Sequence, residues 1–239
     1  MLANLPPGSA HSGSLGRNVH LPATFMVELL DFIKHELPRW RDRSDRKGEA
    51  SETVLTSQLC AHLNSAARRS AGWDILQFRT EEPDEQSKGR KVDLVPAPCD
   101  AIVWVEGRRH IDFDPLLPIE CKRLPTPKDP QRDEREYVFN QNASTGGIQR
   151  FKAGHHGGGH KLGAMIGYVQ QETREFWNTR VAEWITDLVA KGQSGWSQKD
   201  LLRLESDDVT LKLAVLTSSH AREKGLPEIE LRHLWVQMD

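Results

Sequence analysis

The chain has 239 residues, 37% hydrophobic and 28% charged, with a formal net charge of −2. That composition excludes a disordered or low-complexity chain, and no apolar run approaches the about 20 residues that a membrane helix needs. The near-balanced charge gives no global pull toward nucleic acid, so any such contact rests on local basic clusters such as "RWRDRSDRK" (39–47), "RR" (68–69), "GRRH" (107–110) and "CKR" (121–123).

The chain opens on residues 1–22, rich in Gly, Ser and Pro and without the basic start and apolar core of a signal peptide, and this stretch is read as a loose tail. "ATFMVELLDFIKHELP" predicts a helix with Phe25, Leu29, Phe32 and Ile33 on one stripe, stopped at Pro38. "SETVLTSQLCAHLNSAARR" predicts a second, with Leu55, Leu59 and Leu63 at i, i+4 and i+8. Strands follow at "WDILQFR", "RKVDLVPAP", "AIVWVEG" and "LLPIECKRL". "STGGIQRF" begins a helix, "AGHHGGGHKLG" is a glycine-rich loop, and "AMIGYVQ" is a compact apolar strand. "REFWNTRVAEWITDLVAKG" has Phe176, Trp177, Val181, Trp184, Ile185, Leu188 and Val189 at helical spacing, with Gly192 just past its end. "SQKD" reads as a cap with Ser197 as N-cap, and "VTLKLAVL" and "EIELRHLWVQM" close the chain as strands. The expectation is an α/β fold with a mixed sheet flanked by helices, forming a single domain over 23–239. Cys60, Cys99 and Cys121 show no paired spacing and read as reduced thiols of a cytoplasmic protein.

Charge inside apolar strands is the informative feature. In "LLPIECKRLPTP" (116–127), Glu120 and Lys122 point to one face of a pleated strand while Ile119 and Cys121 point to the other. Burying such charges costs several kcal/mol per ion unless they are well paired. Upstream, Asp93 sits in "KVDLV" between Val92, Leu94 and Val95. If the two strands are neighbours, Asp93 and Glu120 meet on one face, share a divalent cation and leave the lysine beside them. Asp, Glu and Lys are then the parts that phosphodiester hydrolysis needs. The plain alternatives stay open: alternating charge on an exposed edge strand for Glu120 and Lys122, and a helix-start acid favoured by the dipole for Glu52.

This pattern resembles the PD-(D/E)xK nuclease superfamily, the fold of restriction endonucleases, over about residues 50–170. The resemblance rests on Glu52 in the first core helix, Asp93, the "IECK" strand and the helix starting near "GGIQRF". It implies a restriction-endonuclease-like sheet and a metal-dependent nuclease with Asp93, Glu120 and Glu52 as ligands of Mg²⁺ or Mn²⁺. Lys122 would serve the transition state and Gln149, with Arg150 beside it, would position water or substrate. It further implies DNA in preference to RNA as substrate, a setting in bacterial defence or DNA processing, and a homodimer or a subunit of a defence complex. The alternative from another class is a non-cutting nucleic-acid-binding or sensing subunit.

Two decoys are set aside. "PD" occurs literally at Pro83–Asp84, but in the polar stretch "TEEPDEQSKG", read as loop; "DRK" at 45–47 has no apolar frame. The loop 154–160 is read as mobile rather than as a zinc site, because three glycines supply no rigid frame. His220, Arg222 and His233 fall near the C-terminal strands, with two readings open: contacts to phosphate or another subunit, or plain surface groups around a hairpin. No Walker loop, dinucleotide fingerprint or serine-hydrolase elbow is present.

Overall fold

The computed structural model describes residues 24–48, 51–84, 88–105, 107–129, 132–223 and 225–238, so the expected tail 1–22 lies outside the described residues. Seven strands form one mixed sheet in the order β1-β2-β5-β6-β9-β8-β7. Its first part is an antiparallel hairpin of β1 (Leu76–Pro83) and β2 (Lys91–Pro98), paired from Leu76–Pro98 to Pro83–Lys91. β5 (Ile119–Leu124) runs antiparallel to β2, with Leu94 opposite Ile119. β6 (Leu162–Val169) is parallel to β5, and β9 (Ile229–Gln237) is parallel to β6. β8 (Leu213–His220) and β7 (Arg203–Asp208) close the sheet antiparallel. β3 (Val103–Val105) and β4 (Arg108–His110) do not join it. They form a separate two-stranded ribbon in the long β2–β5 connection.

Helices α1 (Phe25–Arg41) and α2 (Glu52–Ala67) cover one face, where Leu29, Ile33, Leu55, Leu59 and Leu63 meet Ile119, Cys121 and Ile166. α3 (Gly147–Lys152) and α4 (Arg174–Ala190) cover the other, where Ile148, Phe151, Val181 and Ile185 meet Met165, Leu231 and Trp235. β5 is thus covered on both sides, which is why "PIECKRL" is apolar in frame yet can hold charges away from water. No helix among the described residues is long and apolar enough to cross a membrane.

Four expectations need correction. α1 continues through Pro38 to Arg41. The proline forfeits one helical hydrogen bond, but tertiary contacts hold the last turn. Trp40 is buried, and Arg41 donates to the carbonyls of Leu211 (2.8 Å) and Gln237 (3.3 Å). The first strand is displaced: Asp74 and Ile75 lie in turns, and β1 extends through the polar "TEEP" because its partner β2 supplies the ladder. β7, "RLESDD", was not expected, since all six residues are exposed and carry no apolar alternation. On α4, Phe176 stands 44% exposed despite its helical spacing, packed edge-on against Trp177.

A buried carboxylate and lysine cluster

The four acidic and basic residues singled out in the sequence come together. Ser51 caps α2 by accepting from the Val54 N–H at 3.3 Å, which sets Glu52 on the first turn facing the sheet. The Lys122 ammonium lies 2.9 Å from Glu120 Oε1, 3.1 Å from Glu52 Oε1 and 3.8 Å from Asp93 Oδ2. It also donates to the Cys121 carbonyl at 3.1 Å. Each carboxylate is fixed from behind by the β5 backbone or by a second side chain. Asp93 Oδ2 accepts from Cys121 N–H at 2.8 Å, and Glu52 Oε2 from Arg123 N–H at 3.2 Å. Glu120 Oε1 accepts from Arg150 Nη1 at 2.5 Å, and its Oε2 lies 3.0 Å from His156 Nδ1.

The electrostatics follow from burial and from who sits next to whom. Burial pushes Glu120 up, yet Lys122, His156 and Arg150 together outweigh it and hold the carboxyl below the usual range. Burial pulls the Lys122 ammonium down, and Glu120, Asp93 and Glu52 more than reverse it, so its pKa is raised. Asp93 goes the other way. Burial first and the Glu120 charge second raise it to about 7, against the pull of Lys122 and the Cys121 N–H. Across the hairpin the β1–β2 pairing skips Glu81 and Asp93, and Glu81 takes a left-handed φ of 55°. Asp93, Arg150 and His156 line a cleft of about 600 Å³ whose other walls carry Lys88 and Arg90 from the β1–β2 turn and Lys91 at the start of β2.

From α3, Arg150 rather than Gln149 reaches the cluster. Gln149 turns back and its Oε1 accepts from the N–H groups of Gly146 and Asn140, both at 3.1 Å, capping its own helix. The glycine pair "GG" permits this: a Cβ on Gly146 would lie 2.4 Å from the Phe139 backbone, and one on Gly147 2.8 Å from the Tyr137 carbonyl. The segment 136–139 therefore seats the helix start, with Gly147 N–H bonded to Glu136 O and Gln149 N–H to Val138 O.

The Gly/His loop 154–160 is packed, not mobile. His156 is buried, and Arg222 donates to the carbonyls of Gly157 and His160, both at 2.9 Å. Arg222 is thus a brace for that loop. Sequence reasoning passed over His156 because a histidine among glycines carries no periodicity. Asp84 stands outside the cluster at the hairpin end, where it accepts from the Gly157 N–H at 3.3 Å, and Asp45 is bound to Arg43. His220 and His233 are not surface groups. They lie in a buried chain that runs from Trp235 Nε1 to Tyr137 Oη, His233, Ser218, His220 and Asp200, with Lys152 of α3 on Asp200.

Among the described residues no group of three or more His, Cys, Asp or Glu side chains is arranged to hold a metal ion, and the Lys122 ammonium lies within 4 Å of all three carboxylates. The donor chemistry nevertheless fits a hard divalent cation at Asp93 and Glu120. Asp93 borders the cleft and its carboxyl is raised by burial and the Glu120 charge, and Glu120 Oε2, though near His156, accepts no hydrogen bond of ordinary geometry. Glu52 fits that role less directly, since Lys122 and Arg123 N–H already use both its oxygens. No protein-family model, curated protein or solved structure matches this chain.

Proposed function

We propose that this chain is a metal-dependent nuclease acting on DNA, with a restriction-endonuclease-like core formed by α2, β1, β2, β5, α3 and β6. The observation that carries the reading is the meeting of Glu52, Asp93 and Glu120 around the Lys122 ammonium, from two adjacent strands and a helix start. An isolated arrangement of this kind is costly to bury, and a catalytic site is the economical reason to keep it. Mg²⁺ or Mn²⁺ held by Asp93 and Glu120 would polarise the phosphodiester and acidify a bound water. Lys122 stabilises negative charge building on the phosphate. Glu52 holds the lysine's position, and Arg150 fixes the Glu120 carboxylate and presents a second cation at the cleft. Lys88, Arg90 and Lys91 line the approach and suit a phosphate backbone.

The experiment is cleavage of DNA, with RNA in parallel, in Mg²⁺, in Mn²⁺ and in EDTA. Cleavage is expected with either metal and absent in EDTA. Lys122→Ala is expected to slow it by about 10²–10³, the size of one lost transition-state stabiliser. Activity that survives EDTA, or a Lys122→Ala rate equal to that of the native chain, rules the reading out. One observation favours a second reading, a binding subunit that does not cut: Glu120 is ion-paired with both Lys122 and Arg150, which compete with a metal for its oxygens. Tight DNA binding with no cleavage in either metal selects it.

A further inference from the structure

The ribbon of β3 and β4 stands outside the main sheet, and its two faces differ sharply. Val103 pairs with His110, Trp104 with Arg109 and Val105 with Arg108. The side chains of a directly opposed pair lie on one face, and successive pairs alternate between faces. Val103 and His110 are buried, so the Trp104–Arg109 pair between its neighbours turns to water. Of the seven tryptophans in the chain Trp104 alone is exposed, at 65%, and Ile102 and Phe113 at the ribbon's foot are exposed as well. Large apolar side chains gathered on a surface mark a contact site.

The ribbon is anchored at its foot. Arg79 of β1 donates to the Asp112 carbonyl at 3.0 Å, and the Leu116 N–H to the Pro96 carbonyl at 2.9 Å. Two of the carboxylates there serve the backbone: Asp114 accepts from the Ile111 N–H at 2.9 Å and Asp112 from the Asp100 N–H at 3.3 Å. Asp100 is exposed at the foot, whereas the exposed Arg108 and Arg109 sit at the turn end beside Trp104. The inner side of the ribbon, through Val105 and Arg108, shares a hollow with Gly159, His160 and Lys161. His156 of the same loop lines the cleft with Asp93 and Arg150. Four residues of chain span at most about 14 Å, so the ribbon adjoins the cleft. Cations therefore continue from Lys88, Arg90 and Lys91 at the cleft to Lys161, Arg108 and Arg109 at the ribbon.

We propose that the outer face of this ribbon binds single-stranded DNA, with one unpaired base stacked on Trp104 and a neighbouring phosphate held by Arg109. A flat ring with a guanidinium on the same face meets both halves of a nucleotide, the π-face of the base and the charge of the backbone. Stacking on a protein ring needs a base with a free face. Inside a duplex each base is covered above and below by its neighbours, so the ribbon selects unpaired segments. The run of cations leads the same strand from the ribbon to the cleft. The inference rests on the nuclease reading for where that strand goes, while binding at the ribbon uses no carboxylate of the cluster.

The test is fluorescence anisotropy of the full chain, in EDTA so that no cleavage intervenes, with a labelled DNA single strand of about 20 nucleotides, enough to cover a site of this kind, and with the same strand in a blunt duplex. The single strand is expected to bind about tenfold or more tightly than the duplex, the preference one stacked base gives. Trp104→Leu keeps apolar bulk and removes the ring. It is expected to weaken single-strand binding by about 5- to 100-fold, and Trp104→Phe to keep most of the affinity. Arg109→Ala is expected to lower the slope of log affinity against log salt by about 0.7, one phosphate contact on a single strand. Both positions are exposed, so the urea midpoints of all three variants stay at the native value. Duplex bound as tightly as single strand overturns the proposal, and so does single-strand affinity unchanged in Trp104→Leu. Cleavage is scored separately. A native chain that cuts DNA while Trp104→Leu binds as the native chain does sinks the ribbon alone; ring-dependent binding with no cutting in Mg²⁺ or Mn²⁺ supports the ribbon and sinks the nuclease reading.

Discussion

Asp93→Asn is expected to make the protein more stable at pH 8 while removing its response to metal. The Asp93 carboxyl is raised from the ordinary 3.8 to about 7, by burial and then by the Glu120 charge. In the unfolded chain the same carboxyl loses its proton near 3.8. Between those values the folded state holds a proton that the unfolded state has released, so stability falls as pH rises through that window. Above pH 7 the full cost is present. At about 1.4 kcal/mol per pH unit, the cost is about 4 kcal/mol as an upper bound, and relaxation around the site reduces it to about 2 kcal/mol. The substituted amide oxygen still accepts from the Cys121 N–H, so little else is lost. Urea denaturation should therefore show Asp93→Asn more stable by about 2–4 kcal/mol at pH 8, with the gap closing toward pH 4. Saturating Mn²⁺ should stabilise the native chain, by about 2.7 kcal/mol at a hundred times the dissociation constant, and leave the variant unmoved. A variant that is less stable at pH 8, or a gap that does not change with pH, would refute the reasoning.

The two neighbours on α3 should separate by what they do. Gln149→Ala frees two N–H groups and is expected to cost about 1–3 kcal/mol in urea with the cleavage rate per folded molecule kept, whereas Arg150→Ala is expected to lower that rate; the opposite ranking contradicts their placement. The buried imidazoles should make the protein acid-sensitive. Burial lowers His233 well below its ordinary value and lowers His220 despite Asp200, so below pH about 6.5 the unfolded state takes up protons that the folded state does not, and stability falls as pH falls. Because Asp93 drives the opposite slope, urea midpoints from pH 8 to pH 5 are compared in the Asp93→Asn background, where no decline toward pH 5 would count against neutral buried histidines.

The cluster was legible because its residues break a rule that their surroundings keep. Asp93 and Glu120 are acids inside apolar runs, Lys122 shares a strand face with Glu120, and Glu52 begins the leucine stripe of α2. Each is conspicuous on paper for the same physical reason that makes it costly in the fold. Arg150 and Gln149 were not separable, since which neighbour faces inward depends on how the "GG" turn seats against 136–139, a contact that spacing does not encode. His156 was invisible for want of a frame, and β7 for want of any apolar residue that is buried. His220 and His233 were misjudged as surface groups. His233 sits between Leu231 and the buried pair Leu234 and Trp235, a signal that could have placed it inside. Pro38 misled because the penalty for an internal proline is finite, and the buried Trp40 and the Arg41 contacts outweigh it.

The two borders of the sheet have a consequence for how copies of the chain can meet. β7 turns outward a strand that carries Arg203, Glu205, Asp207 and Asp208, all exposed. A strand from another molecule could add there only by stripping water from those charges. At the opposite border, β1 ends in Pro83, which has no N–H to offer, and Glu81 bends the backbone into the left-handed region. Neither margin is a template for extending the ladder into a second molecule. If cutting both strands of a duplex takes two copies, they have to join through helices and loops, which leaves each seven-stranded sheet a closed unit and the two clefts free to be oriented independently of strand register.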